Sequence, residues 1–224
     1  MIPHPFTLFR PFAEQLDIRL LTKDDGIASD EHVAAMIGTK NLVALHQVHG
    51  SRVIKVSGPI ARTEKADGMI TDVRNLALAI RTADCQQFVV YAPERHVVGL
   101  MHVGWKGLLA GTIPAFFALL KSEWSIGPED VFVGAGPSLC QDCGEFTDPK
   151  KELPGIDHRF FNGRCADLGG IADAQLLEAG VPPDHIDRHP ECTRCHPERY
   201  WTYRGGHRQE VLDGHTNVLT CMLL

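Results

Sequence analysis

The 224 residues suffice for one sizeable hydrophobic core, so a single domain over residues 1–224 is expected. Hydrophobic residues make up 44% and charged residues 22%, an ordinary composition for a soluble globular chain. A net charge of −6 without any Lys/Arg cluster argues against nucleic acid as a partner, and no apolar run approaches the ~18 residues of a membrane span.

The N-terminal stretch carries Pro3, Pro5 and Pro11 and no continuous apolar region, so it does not read as a signal peptide. Residues 29–38 are expected to form a short helix, with Ser29 as N-cap and Gly38 as stop. Short runs rich in Val, Ile and Leu follow at 42–48, 52–57, 75–81, 87–91 and 97–103, punctuated by Gly, Pro, Asp and Asn, and read as strands. Residues 112–124 form the clearest helix. Ile113, Phe116, Phe117, Leu120 and Trp124 recur at helical spacing, Thr112 is placed to cap the start, and Gly127-Pro128 to end it. Residues 131–135 read as a buried strand, 168–180 as a helix closing on Gly180, and 216–224 as a final strand. Strands in runs, with helices between some of them, predict an α+β layered fold rather than strict βαβ alternation.

Seven cysteines, an odd number, in a chain of this size point to free or metal-bound thiols and a cytoplasmic location rather than to a disulfide framework. Twelve histidines raise the expectation of metal chemistry. Three segments carry it. His46-Gln-Val-His49-Gly50 offers a histidine followed by a turn. Its plain reading is a surface pair at a strand end, whose members would point to opposite faces. Thr82-Ala-Asp84-Cys85 sits between apolar runs, with polar neighbours Gln86 and Gln87 that are unusual around a mere core cysteine. His102 ends a strand above a Gly-rich turn, Gly104-Trp105-Lys106-Gly107, where α/β sites tend to lie. Together His49, Cys85 and His102 make a Cys/His2 set, and three protein ligands with an open position is the pattern of catalytic zinc. A fourth segment, Cys192 to Arg204, holds one C-x-x-C, and Cys140–Cys143 holds another. Residues 144–191 separate them, far more than the ~15–20 of a zinc ribbon, so no second structural zinc is expected there.

These segments resemble the YfiH/laccase-domain family, whose members are named both polyphenol oxidoreductases and purine nucleoside phosphorylases. HQVHG is similar to the family's Q-V-H-G, TADC to its T-A-D-C, HVGWKG to its H-A-G-W-R-G, GPSLCQDCGEF to its G-P-x-I-G-x-C-C-Y-E-V, and CTRCHPERYWTYR to its C-T-x-C-x-P-x-x-F-F-S-Y-R. The likeness covers roughly residues 19 to 210. It implies a layered αββα fold with mixed sheets, similar to the catalytic domain of cytotoxic necrotizing factor toxins. It also implies metal ligands at His49, Cys85 and His102. The chain departs from the pattern in lacking an S-L-N-L segment after residue 29, in carrying Lys106 for Arg, and in carrying Cys140 for Gly. The activity implied is zinc-dependent phosphorolysis of purine nucleosides such as adenosine, inosine or methylthioadenosine, with adenosine deamination as a side activity. Small-molecule nucleoside and phosphate are the implied partners. Cys85 and His102 would be catalytic, Asp84 is the acidic residue of the three segments that could move protons, and Lys106 and Arg204 are the cations for phosphate. The alternatives are a Cys85/His102 hydrolase editing a peptidoglycan precursor, a polyphenol oxidase using copper, and a non-catalytic metal- or nucleotide-binding relative. Copper is disfavoured because the chain has no H-x-H pair.

Overall fold

A computed structural model describes all 224 residues. Its strands, in chain order, are β1 (Ile2–Pro3), β2 (Leu16–Leu21), β3 (Leu42–Ala44), β4 (Val53–Lys55), β5 (Gly68–Thr71), β6 (Ala77–Thr82), β7 (Gln86–Ala92), β8 (Val97–Val103), β9 (Phe132–Ala135), β10 (Phe161–Asn162), β11 (Cys165–Ala166), β12 (Ile186–Arg188) and β13 (Asn217–Leu223). The helices are α1 (Asp30–Ile37), α2 (Trp105–Ala110), α3 (Thr112–Trp124), α4 (Pro149–Glu152), α5 (Leu168–Ala179) and α6 (Arg208–Leu212).

Two mixed sheets face each other. One has the order β1-β2-β13-β6-β3, the other β12-β9-β7-β8-β5-β4, and β10 pairs with β11 in a small hairpin. Period-two alternation sends every second side chain of a strand to the opposite face. Leu78 and Ile80 of β6, with Leu219 and Cys221 of β13, therefore meet Val89 and Tyr91 of β7 and Val98 and Leu100 of β8 in the buried seam between the sheets. The alternate residues Phe88, Val90, Val97 and Met101 face outward and are covered by Ile113, Phe116 and Leu120 of α3 and by Ile171 and Leu176 of α5. On the far side, Val33 and Ile37 of α1 cover Ala77, Ala79 and Val218. Three apolar interfaces thus stack four layers in the order helix, sheet, sheet, helices, the expected αββα arrangement.

α1 begins and ends as expected. The Ser29 side chain accepts from the His32 amide, and Gly38 closes the helix at φ 76°, a conformation glycine adopts without strain. α3 spans the expected residues but differs at both ends. Gly111 is its N-cap, and no side chain caps it. The Thr112 hydroxyl instead donates to the carbonyls of Gly50 and Gly107. The helix stops at Ser125, before Gly127-Pro128. The Gly-rich turn expected after His102 is a helix, α2, which starts at Trp105 with Gly104 as N-cap.

The parallel pairing of β12 with β9, Ile186 opposite Val133 and Arg188 opposite Ala135, corrects the reading of the two C-x-x-C segments. Chain leaving two parallel strands runs on side by side whatever lies between them in sequence. Ser138 accordingly forms a parallel bridge with Cys192, and the four cysteines that sequence separation set apart lie together.

Close packing of β8 on α3 depends on Gly99, where a Cβ would stand 2.6 Å from Phe116 Cζ and 2.7 Å from the Met69 carbonyl oxygen. Neither the strand backbone nor the fully buried ring has room to retreat. Gly99→Ala is expected to destabilise the fold by about 1–3 kcal/mol, read as a lower urea midpoint at unchanged m-value. A midpoint equal to wild type would show that this seam is looser than described.

Candidate metal centre

Two of the places where the chain passes from one sheet to the other each carry a candidate ligand. β6 belongs to the five-stranded sheet and β7 to the six-stranded one. The bend between them holds Asp84 and Cys85, with Asp84 at φ 89°. The passage from β3 to β4 holds His49 at φ 60°, a left-handed conformation that is uncommon outside glycine. His102 comes from β8, opposite Gln87 on β7. The ligand atoms of His49, Cys85 and His102 all lie within 4.8 Å of one another, and the two imidazoles meet edge to face at 4.7 Å. A Cβ at Gly104 would fall 2.9 Å from Cys85 Sγ and 3.2 Å from a His49 ring carbon. Glycine is needed there for space, since its φ of −80° is open to any residue.

The group that organises the centre was not singled out in the sequence. Asp67, which is fully buried, accepts from the successive amides of Val48, His49 and Gly50 at 3.2, 2.8 and 2.7 Å. His102 Nδ1 lies 2.9 Å from its Oδ1, and its carbonyl accepts from the His102 amide. Three converging main-chain N–H groups form an anion nest. Burial pushes the Asp67 carboxyl up, but hydrogen bonds from His102 and the Gly50 and His49 amides outweigh it and hold the group below the usual range. With Nδ1 of His102 engaged, Nε2 is the nitrogen left for a ligand or for Cys85. Burial also raises the Cys85 thiol, and His102 and His49 more than offset it, bringing it to about 6. His102 is drawn down by burial and raised by Asp67 and Cys85 to about 9. Each of the two groups thus favours the charged form of the other.

The centre opens into a cleft of about 590 Å³, a size that takes a small organic ligand. Arg62, Arg81, Lys106 and Arg204 all line it. Lys106 is exposed, its ammonium 5.4 Å from the Trp105 ring centre. The Arg81 side chain is tied to Asp30 at 2.7 Å. Arg204 is half-buried: one guanidinium nitrogen donates to the carbonyls of Cys143 and Glu145, and the plane lies over Phe146. Asp84 is held in place by hydrogen bonds at both carboxylate oxygens. Its oxygens accept from Thr193 Oγ1 and from the Arg204 amide, both at 2.7 Å. The carboxylate beside the ligands is Asp67, which follows Lys65-Ala66 at the mouth of β5, a position that in sequence reads as an ordinary turn acid.

A family model described as multi-copper polyphenol oxidoreductase laccase matches residues 13–217. The chain belongs to that family. Among laccase-family relatives, purine nucleoside phosphorylase YlmD of Geobacillus stearothermophilus is 30% identical over 72% of this chain and 66% of its own, so the chain spans just under two thirds of it. Adenosine deaminase RL5, from an unknown prokaryotic organism, is 26% identical over 73% of this chain and 70% of its own. Among solved structures, YlmD of G. stearothermophilus aligns with a TM-score of 0.74 at 26% identity, covering 86% of this chain and 77% of that one. The Bacillus licheniformis protein YfiH shares the fold, with a TM-score of 0.79 at 23% identity over 98% and 99% of the two chains.

Two measurements test this centre. Asp67→Asn keeps the size of the side chain but not its charge, and is expected to weaken metal binding 10–100-fold in chelator competition; unchanged affinity would remove Asp67 from the centre. In metal-free protein, Cys85 is thiolate above pH about 6 and loses reactivity below it. Iodoacetamide labelling of the Cys85 peptide should therefore reach its plateau by neutral pH. A rate still climbing through pH ~8.5, as for a free thiol, would refute the pairing with His102.

Proposed function

We propose that this chain is a zinc-dependent purine nucleoside phosphorylase with an adenosine deaminase side activity, and that His49, Cys85 and His102 hold the metal. The observation that carries the reading is the Cys/His2 trio at the head of a cleft rimmed by cations. Three ligands with a position facing a cleft is the catalytic zinc pattern. The same donors occur in blue-copper sites, which add a weak axial Met or Gln. No Met lines this cleft, and its two glutamines are engaged elsewhere. Gln47 bonds the Arg81 backbone in both directions, and Gln86 bonds the Leu168 carbonyl and the Arg188 guanidinium. The many convergent histidines of a multicopper cluster are also lacking, since the metal-competent groups contain two histidines between them.

Zinc bound here would supply a positive centre that polarises a substrate oxygen and lowers the pKa of a bound water toward ~7. Asp67 fixes the tautomer and orientation of His102. Lys106 and Arg204 supply the charge that a phosphate dianion requires, with Arg62 on the same rim. Arg204 retains guanidinium N–H groups beyond those of the one nitrogen spent on Cys143 and Glu145, and its backbone is anchored by Asp84, which acts as a positioning group. The side chain of Tyr203, 39% exposed on the cleft, offers a flat apolar face for a purine.

One observation favours a second reading. Cys85, His102 and Asp67 are ordered as nucleophile, base and orienting carboxylate, a geometry competent for acyl hydrolysis, as an editor of peptidoglycan precursors would need. His49 is not a member of such a triad, although it helps hold the Cys85 thiol down. Base release from adenosine or inosine should require both phosphate and bound zinc, vanish in His49→Ala, and fall at least tenfold in Arg204→Lys, which is ~1.4 kcal/mol of transition-state stabilisation. Turnover independent of phosphate and retained after chelation would favour the triad instead.

A further inference from the structure

We propose that Cys140, Cys143, Cys192 and Cys195 bind a second zinc ion, structural in role, that ties together the two loops forming one wall of the cleft. All four sulfurs lie within 4.8 Å of one another. Cys195 Sγ is 3.9 Å from that of Cys140 and 3.6 Å from that of Cys143. A tetrahedron with Zn–S arms of about 2.3 Å has edges of about 3.8 Å. A disulfide would need the sulfurs at about 2.05 Å.

The backbone is shaped for such a site. The amides of Cys143 and Gly144 both donate to the Cys140 carbonyl, curling the first C-x-x-C into a tight turn. The Cys140 amide points at Cys192 Sγ, 3.3 Å away, a donor aimed at sulfur of the kind that favours thiolate. Four thiolate ligands with no open position form the closed set of structural zinc, and tetrahedral sulfur is poorly suited to Mg²⁺ or Ca²⁺. Each thiol would release its proton to solvent on binding.

The location gives the ion its purpose. Residues 136–148 and 189–207 contain no strand or α-helix. Leu139, Cys143 and Cys192 form an apolar cluster of their own, apart from the three main interfaces. Yet these loops place Ser138 and Leu139 on the cleft, give Asp84 its Thr193 partner, and offer the Cys143 carbonyl to Arg204. A cross-link at the four sulfurs would hold that wall in register with the Cys85 bend.

The test does not depend on the first site being catalytic. Protein purified under reductant without added metal should contain about two zinc per chain by elemental analysis. The His49→Ala/Cys85→Ser variant should keep one, with an X-ray absorption shell of four sulfurs at about 2.3 Å and no nitrogen. Cys140→Ser/Cys195→Ser should lose that ion and keep the other; if this variant does not fold, the metal content and sulfur shell of the first variant still decide. One zinc in wild type that disappears in His49→Ala/Cys85→Ser would overturn the proposal while leaving the first site intact. Iron in place of zinc, or disulfides among the four cysteines in freshly reduced protein, would overturn it as well.

Discussion

The centre is organised by one buried anion. Asp67 is removed from water and keeps its charge because three amides and an imidazole point at it. An unpaired carboxylate in such a place would neutralise or force the structure apart. Satisfying it fixes two things together. The amides of Val48, His49 and Gly50 can converge only if the chain turns at His49, which puts that residue in the left-handed region. His102 is held by Nδ1 and by its own amide, so its remaining nitrogen has one direction to face. Two candidate ligands on different elements are set by one carboxylate.

The third ligand comes from a different constraint. Cys85 lies where the chain must leave one sheet for the other within three residues, and the strained φ of Asp84 makes the bend. The Asp84 carboxylate then reaches across to Thr193 and the Arg204 amide, so the same bend anchors the opposite wall. Both aspartates thus spend their oxygens on neighbouring groups of the chain. One serves the ligands, the other the cleft. Lys106 and Arg204, neither of them in a salt bridge, put positive charge on the cleft although the chain as a whole is negative, which a net charge could not reveal.

Much of this was legible in the sequence where local chemistry decides. α1 follows from its cap and glycine stop, α5 from its glycine stop, α3 from its helical spacing alone, and most buried strands from apolar runs, whereas β2 and β5 lie outside the runs that read as strands. His49, Cys85 and His102 stood out because each is a rare residue type in a polar setting beside an apolar run. The misses are of two kinds. Some are local rules with more than one solution. Gly104 and Gly107 suggested a turn, but glycine is required there because Cys85, His49 and Thr112 approach closely, and the backbone is extended at Gly104 and helical at Gly107. Thr112, in N-cap position by pattern, spends its hydroxyl on two carbonyls. Others are non-local. Nothing around residue 67 says that an aspartate will be buried against residues 48–50 and 102. Nothing between residues 144 and 191 says that β12 will return parallel to β9 and carry Cys192 and Cys195 to Cys140 and Cys143.

β13 lies in the middle of its sheet, between β2 and β6, and pairs with both along nearly its whole length. In order of synthesis it is the last strand of the thirteen. Until it emerges, β2 and β6 present bare hydrogen-bonding edges to each other, and the apolar face of that sheet has no centre. Partially extruded chains therefore cannot complete the sandwich domain-style from the N-terminus, and their exposed edges invite pairing with neighbouring nascent chains. The molecule must close as one late cooperative event. A lesion in residues 217–223 would thus open that sheet at its centre, although no member of the Cys/His trio lies among them.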